Sequence, residues 1–131
     1  MTLGAEGVQM GSRFVCTPEA SSHMAFKEAV IAANEGDTIV TLKHLTPVRL
    51  IKNHFYKQVH AAENAGATNE ELERILGRAR AKKGMFEGDL DEGELEIGQV
   101  SGFMNEIKPA SEILADIWQE YLQAKSAICN S

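Results

Sequence analysis

Basic side chains are in the minority: 13 Lys and Arg stand against 19 Asp and Glu in 131 residues, a formal net charge of −6. A phosphate backbone or an anionic lipid surface attracts clustered Lys and Arg, so nucleic acid and membrane are excluded as partners. Cysteine is nearly absent. Cys16 and Cys129 lie near opposite ends, with no C-x-x-C and no His/Cys set at metal-ligand spacing, which excludes a disulfide framework and a cysteine-rich metal site. Both are read as free thiols in a reducing cytoplasm, in keeping with the lack of a secretory h-region. No apolar run approaches the roughly 20 residues that a membrane-spanning helix needs, and the chain has no repeat and no low-complexity tract. What is present is ordinary for a soluble globular chain of one domain: 44% hydrophobic and 24% charged residues, enough for a modest core.

Along the chain, Gly7 to Val15 is apolar but interrupted by Gly11, which predicts a short strand through Met10 and then a tight turn. Thr17-Pro18-Glu19 predicts a helix start, with Thr17 as N-cap and Pro18 where its missing N–H costs nothing. Phe26, Ala29, Val30 and Ala33 share one face of that helix, and Gly36 ends it. "TIVTL", Thr38 to Leu42, is a strand or an extended linker. Thr46-Pro47 predicts a second helix to Gly66 along Val48, Ile51, Phe55, Val59 and Ala62. Thr68 and Glu71, at capping-box spacing, predict a third, along Leu72, Ile75, Leu76 and Ala79 to the basic "GRARAKK". Met85 to Gly98 is acidic and glycine-punctuated, an ordered loop. A final helix from about Pro109 to Lys125 is expected to bury Leu114, Ile117, Trp118, Tyr121 and Leu122. Four helices dominate this reading.

The densest feature lies near the start. Gly4, Gly7 and Gly11 fall as G-x-x-G-x-x-x-G, neither the dinucleotide fingerprint nor a Walker loop. Spacing leaves two readings open. Glycines are the default residues of a tight turn; equally, a glycine after a strand lets backbone N–H groups, here those of Gly11, Ser12 and Arg13, approach an anion.

"GAEGVQMGSRF" resembles the G-A-x-x-V-Q-x-G-[ST]-R-F signature of the FMN-dependent nitronate monooxygenases, formerly 2-nitropropane dioxygenases, and of the related FabK-type enoyl-acyl carrier protein reductases. "FKEAVIAANEGDTIVT", "VRLIKN" and "GDLDEGELEIGQVSGFM" resemble later segments of the same enzymes in the same order, so the likeness runs through the whole chain. "HLTPVRLIKN" and the acidic stretch are more similar to the FabK branch. The resemblance implies an α/β parent, a (β/α)8 TIM barrel, of which this chain covers the C-terminal third, itself mostly α-helical with one or two short strands. Residues 1–45 would be the last βα unit with the FMN phosphate turn, and 46–131 a helical C-terminal extension. Val8 to Met10 would be the eighth strand and Gly11-Ser12 the phosphate turn, a placement that agrees with the general phosphate site of such barrels. The implied cofactor residues are Gln9, Met10, Gly11 and Ser12. The family's catalytic histidine lies in a part with no counterpart here, so no catalytic residue is assigned.

"GQVSG", Gly98 to Gly102, is a second candidate: a plain turn, or, by resemblance, a segment returning towards the flavin, with Gln99 touching substrate or flavin. His23, His44, His54 and His60 are read as surface or packing residues whose spacing makes no metal set, and the acidic run from Glu87 to Glu96 lacks EF-hand spacing. No metal is expected. Two functions follow. In one, the chain is part of an FMN oxidoreductase that uses a nicotinamide and an enoyl thioester or a nitronate, is inactive alone and retains no FMN. In the other it is a self-associating helical module without catalysis. A lone strand with unpaired backbone groups predicts a homo-oligomer in both.

Overall fold

The computed structural model describes residues 4–129. Its elements follow in the order α1 (Ser12–Val15), α2 (Met24–Ala32), β1 (Thr38–Thr41), β2 (Val48–Ile51), α3 (His54–Asn64), α4 (Asn69–Leu76), α5 (Arg80–Met85), a 3₁₀ turn (Gln99–Phe103) and α6 (Ala110–Cys129). Helices dominate, with two short strands. β1 and β2 form an antiparallel pair in which Thr38 faces Ile51 and Thr41 faces Val48. Residues 95–97 lie along the other side of β2: the Ile51 N–H donates to Leu95 O at 3.0 Å and the Ile97 N–H to Arg49 O at 3.1 Å. A fully buried Leu50 sits in the middle of this arrangement.

The core has two parts. Cys16, Phe26, Val30, Leu95, Ile97 and Met104 form one, under α2 and the 3₁₀ turn. Leu42, Leu50, Phe55, Val59 and Leu72 form the other, between the hairpin, α3 and α4. Burying a side chain of this size contributes about 1.5–3 kcal/mol, so either part would be lost with a few polar substitutions.

α4 is built as predicted. The Thr68 hydroxyl accepts from the Glu71 N–H at 3.3 Å, and the Glu71 carboxylate accepts from the Thr68 N–H at 2.8 Å. That hydrogen bond holds the Glu71 carboxyl below its ordinary range. Other expectations are corrected. Val8 to Met10 forms no strand: residues 5–11 are exposed and outside regular structure, because no strand among the described residues lies beside them to complete a ladder. Thr17 caps only one turn, its hydroxyl accepting from the Ala20 N–H at 3.1 Å. The buried Lys27 ammonium takes the Thr17 and Ala20 carbonyls at 2.6 and 2.8 Å, so these oxygens are unavailable to continue a helix. The long helix starts later, where His23 Nδ1 accepts from the Ala25 N–H at 3.1 Å.

Thr46 likewise starts no helix. Val48–Ile51 pairs with β1, and α3 opens at His54 under Asn53, whose Oδ1 accepts from the Tyr56 N–H at 2.9 Å. The hairpin therefore joins residues on both sides of position 45. Ala79 lies outside α4: Gly77, at φ +60°, ends that helix, and Ala79 is itself left-handed at φ +61° before α5 begins. Six α-helices rather than four result among the described residues.

α6 departs most from its predicted burial. Ile113 is buried, Ile117 and Tyr121 are half-buried, and Leu114 and Trp118 are each 58% exposed, with Leu122 at 40%. The stripe exists, but most of its large side chains stay exposed among the described residues. The acidic loop is ordered as expected: the Asp89 carboxylate accepts from the N–H groups of Asp91 and Glu92 at 3.1 and 2.8 Å. Those bonds, the one to Glu92 foremost, lower its pKa. At its end Gly84 lies against Gly93 and the Glu94 carbonyl, where an added Cβ would come within 2.6 Å of that oxygen.

Candidate functional site

Ser12 begins α1, and Gly11 before it offers no side-chain cap. The Phe14 N–H donates to Gly11 O at 3.0 Å, while the N–H groups of Ser12 and Arg13 at the start of the helix have no acceptor among the described residues. The Ser12 hydroxyl accepts from the Gly98 N–H at 3.1 Å, across 86 residues, which leaves its own proton for an outside acceptor. A Cβ at Gly98 would lie 2.8 Å from Ser12 Oγ, so a larger residue there would displace the serine hydroxyl. A Cβ at Gly11 meets nothing within 4 Å, so the approach to the turn is open. This turn fits a phosphate group: backbone donors, a free hydroxyl proton and space in front of them. The Arg13 guanidinium is turned away, donating to Glu106 O at 3.3 Å and pairing with its carboxylate at 3.7 Å.

Gln9 and Met10 are exposed ahead of the turn. Met10 lines a groove of about 410 Å³ with Arg13, Val100, Phe103, Ile113 and Ile117. Gln99 lies at a different cavity, beside Arg49 and Phe103. The structure thus joins Ser12 to the start of "GQVSG" through Gly98, while Gln99 faces other neighbours. Ser101 in the same segment is fully buried, and its hydroxyl has no hydrogen-bond partner among the described residues.

The histidines do local work. His23 caps α2 and lies against Gly88. His44 is exposed in the turn between the strands. His60 stacks on Tyr56 with ring centroids 5.3 Å apart. His54 Nε2 lies 3.6 Å from Glu92, whose other oxygen is 3.1 Å from Arg80. His54, Asp91 and Glu92 place their ligand atoms within 4.8 Å of one another, a grouping invisible in the sequence because residue 54 is remote from 91 and 92. The Cys16 thiol is buried, which pushes its pKa up against the opposing pull of Arg13 and Lys27 and makes it a packing group rather than a nucleophile. The Cys129 side chain lies outside the described residues. No helix among those residues is long and apolar enough to cross a membrane.

The structure of FabK from Thermotoga maritima superposes with a TM-score of 0.89 at 33% identity, over 98% of this chain and 41% of that one. Its M276A mutant gives 0.80 at 31% identity, over 98% and 38%. FabK is a TIM barrel, and the mostly helical chain with its two short strands superposes on part of it. The nitronate monooxygenase family model matches residues 1–120, and the chain belongs to that family of FMN-dependent oxidoreductases. A probable nitronate monooxygenase of Bacillus subtilis (strain 168) is 29% identical over 121 residues, 92% of this chain and 35% of that protein. One from Staphylococcus saprophyticus is 34% identical over 89 residues, 64% of this chain and 25% of its own length. The chain therefore spans about a third or less of the curated relatives it is compared with here.

Proposed function

We propose that this chain supplies the FMN-phosphate turn and a helical cap to an FMN-dependent oxidoreductase, and that alone it is not catalytically competent. The observation that carries this is the Ser12–Gly98 hydrogen bond, which fixes the Gly-Ser turn against the glycine-rich segment. Gly11, Ser12 and the N–H of Arg13 hold the phosphate, Gln9 and Met10 lead into the site, and Gln99 stands at the substrate or flavin entrance. The bound flavin would supply the redox chemistry, either hydride transfer from a reduced nicotinamide to an enoyl thioester or oxidation of a nitronate by oxygen. The chain's own contribution is position: backbone donors and one hydroxyl, aimed before the anion arrives.

Two or three such hydrogen bonds of about 1 kcal/mol each hold FMN only weakly. After incubation with FMN and desalting, the purified chain is expected to be colourless, although titration before desalting should show binding that Ser12→Ala weakens. Turnover of a nitronate or an enoyl thioester by the chain alone would overturn the non-catalytic assignment. FMN binding indifferent to Ser12→Ala would overturn the phosphate site. A second reading, a self-associating module without catalysis, is favoured by the exposed Leu114, Trp118 and Leu122 on α6 and by the backbone of residues 5–10, which pairs with no strand among the described residues. It calls for a homo-oligomer, which Trp118→Glu should dissociate; sedimentation as a monomer at every concentration would dismiss it.

A further inference from the structure

A cavity of about 390 Å³ lies between the 3₁₀ turn, the turn after α2 and the hairpin, and neither Gly11 nor Ser12 lines it. Its walls include Glu35, Thr38, Arg49, Gln99, Gly102 and Phe103. The walls are fixed: Gly102 packs so closely on the Asn34–Glu35 backbone that a Cβ would come within 3.2 Å of it. Arg49, half-buried, uses one nitrogen to donate to Thr38 O and to the Thr38 hydroxyl, both at 3.2 Å. Its remaining N–H groups have no partner among the described residues, and the Thr38 hydroxyl keeps its own proton to donate. Glu35 lines the same cavity without pairing with Arg49. Phe103, 85% exposed, presents a ring that packs on little of the described chain.

We propose that this cavity binds a ribonucleoside monophosphate group. The Arg49 guanidinium and the Thr38 hydroxyl take the phosphate, a pairing favoured by the planar fork of arginine. Phe103 stacks on the base, and the Gln99 amide meets its polar edge. Glu35 selects between ligands: a carboxylate at the mouth repels a bare anion but accepts hydrogen bonds from ribose hydroxyls. A volume of 390 Å³ lies in the ordinary range of small-ligand sites. This assignment does not rest on the flavin reading, with which it shares only Gln99.

The test is calorimetric titration of the full chain with AMP in the absence of FMN, with inorganic phosphate titrated in parallel. One saturable AMP site is expected, with phosphate binding more weakly. Arg49→Gln should weaken AMP binding about tenfold or more, the usual loss for a hydrogen bond to a charged group. Phe103→Ala should weaken it about fivefold or more through lost stacking, and its exposed position makes that variant safe for folding. The proposal is overturned by absence of saturable AMP binding at millimolar concentration or by phosphate binding as tightly as AMP. AMP affinity unchanged in Phe103→Ala, or in a folded Arg49→Gln, would overturn it as well.

Discussion

Glu94 is 6% exposed, and its carboxyl makes no hydrogen bond among the described residues. Burial, reinforced by the neighbouring Glu96 carboxylate and opposed by Arg80, pushes its pKa from 4.5 up to about 7. Because the folded value is the higher one, the unfolded chain releases this proton first as the pH rises. The folded state is therefore favoured below pH 4.5, loses ground up to about pH 7, and changes little from this group beyond that. At about 1.4 kcal/mol per pH unit the full interval corresponds to about 3 kcal/mol. Glu94→Gln keeps the shape and removes the titration. Urea denaturation followed by helical circular dichroism should find the variant less than about 1 kcal/mol from the parent at pH 5 and about 3 kcal/mol more stable at pH 8. Two stability curves that run parallel between those pH values would refute the reasoning, whatever their offset.

Three further substitutions probe the fold. Lys27→Met removes the ammonium that holds the Thr17 and Ala20 carbonyls, and a loss of about 2 kcal/mol of stability is expected, read as a lower urea midpoint; an unchanged midpoint would mean that those carbonyls find other donors. Gly84→Ala drives a methyl group against the Glu94 carbonyl and Leu95, a crowding that should cost about 2 kcal/mol and lower the thermal midpoint. Thr68→Ala breaks the capping box, which should cost about 1 kcal/mol and raise amide exchange in α4 while leaving α2 unaffected.

The readable parts of the sequence are those whose partners are near in the chain. Thr68 and Glu71 are three residues apart, so their reciprocal bonds are visible in the spacing, and Phe26, Val30 and Ala33 show the buried face of α2 directly. Val48 and Ile51 misled for a physical reason. With Phe55 and Val59 they satisfy helical spacing, and only β1 on one side and residues 95–97 on the other make them a strand. The α6 stripe was legible, but an apolar stripe says which face is sticky and not what covers it. The candidate site was half-legible. Both glycine-rich segments stand out, whereas their meeting at Ser12 and Gly98, and the convergence of Arg49 and Gln99 on one cavity, depend on contacts that spacing does not encode.

The bond between residue 12 and residue 98 ties the proposed phosphate turn to the fold of the chain between them. α2, the hairpin, α3, α4 and α5 all lie between those two residues, so the bond closes a loop of 86 residues whose ends meet in the folded chain. An anion that binds the completed turn draws its affinity from the folded population alone, so it raises the unfolding temperature in proportion to the logarithm of its concentration. Damage far from the site, in the α3–α4 core for instance, then registers as weakened anion binding even though no ligand-touching atom has changed.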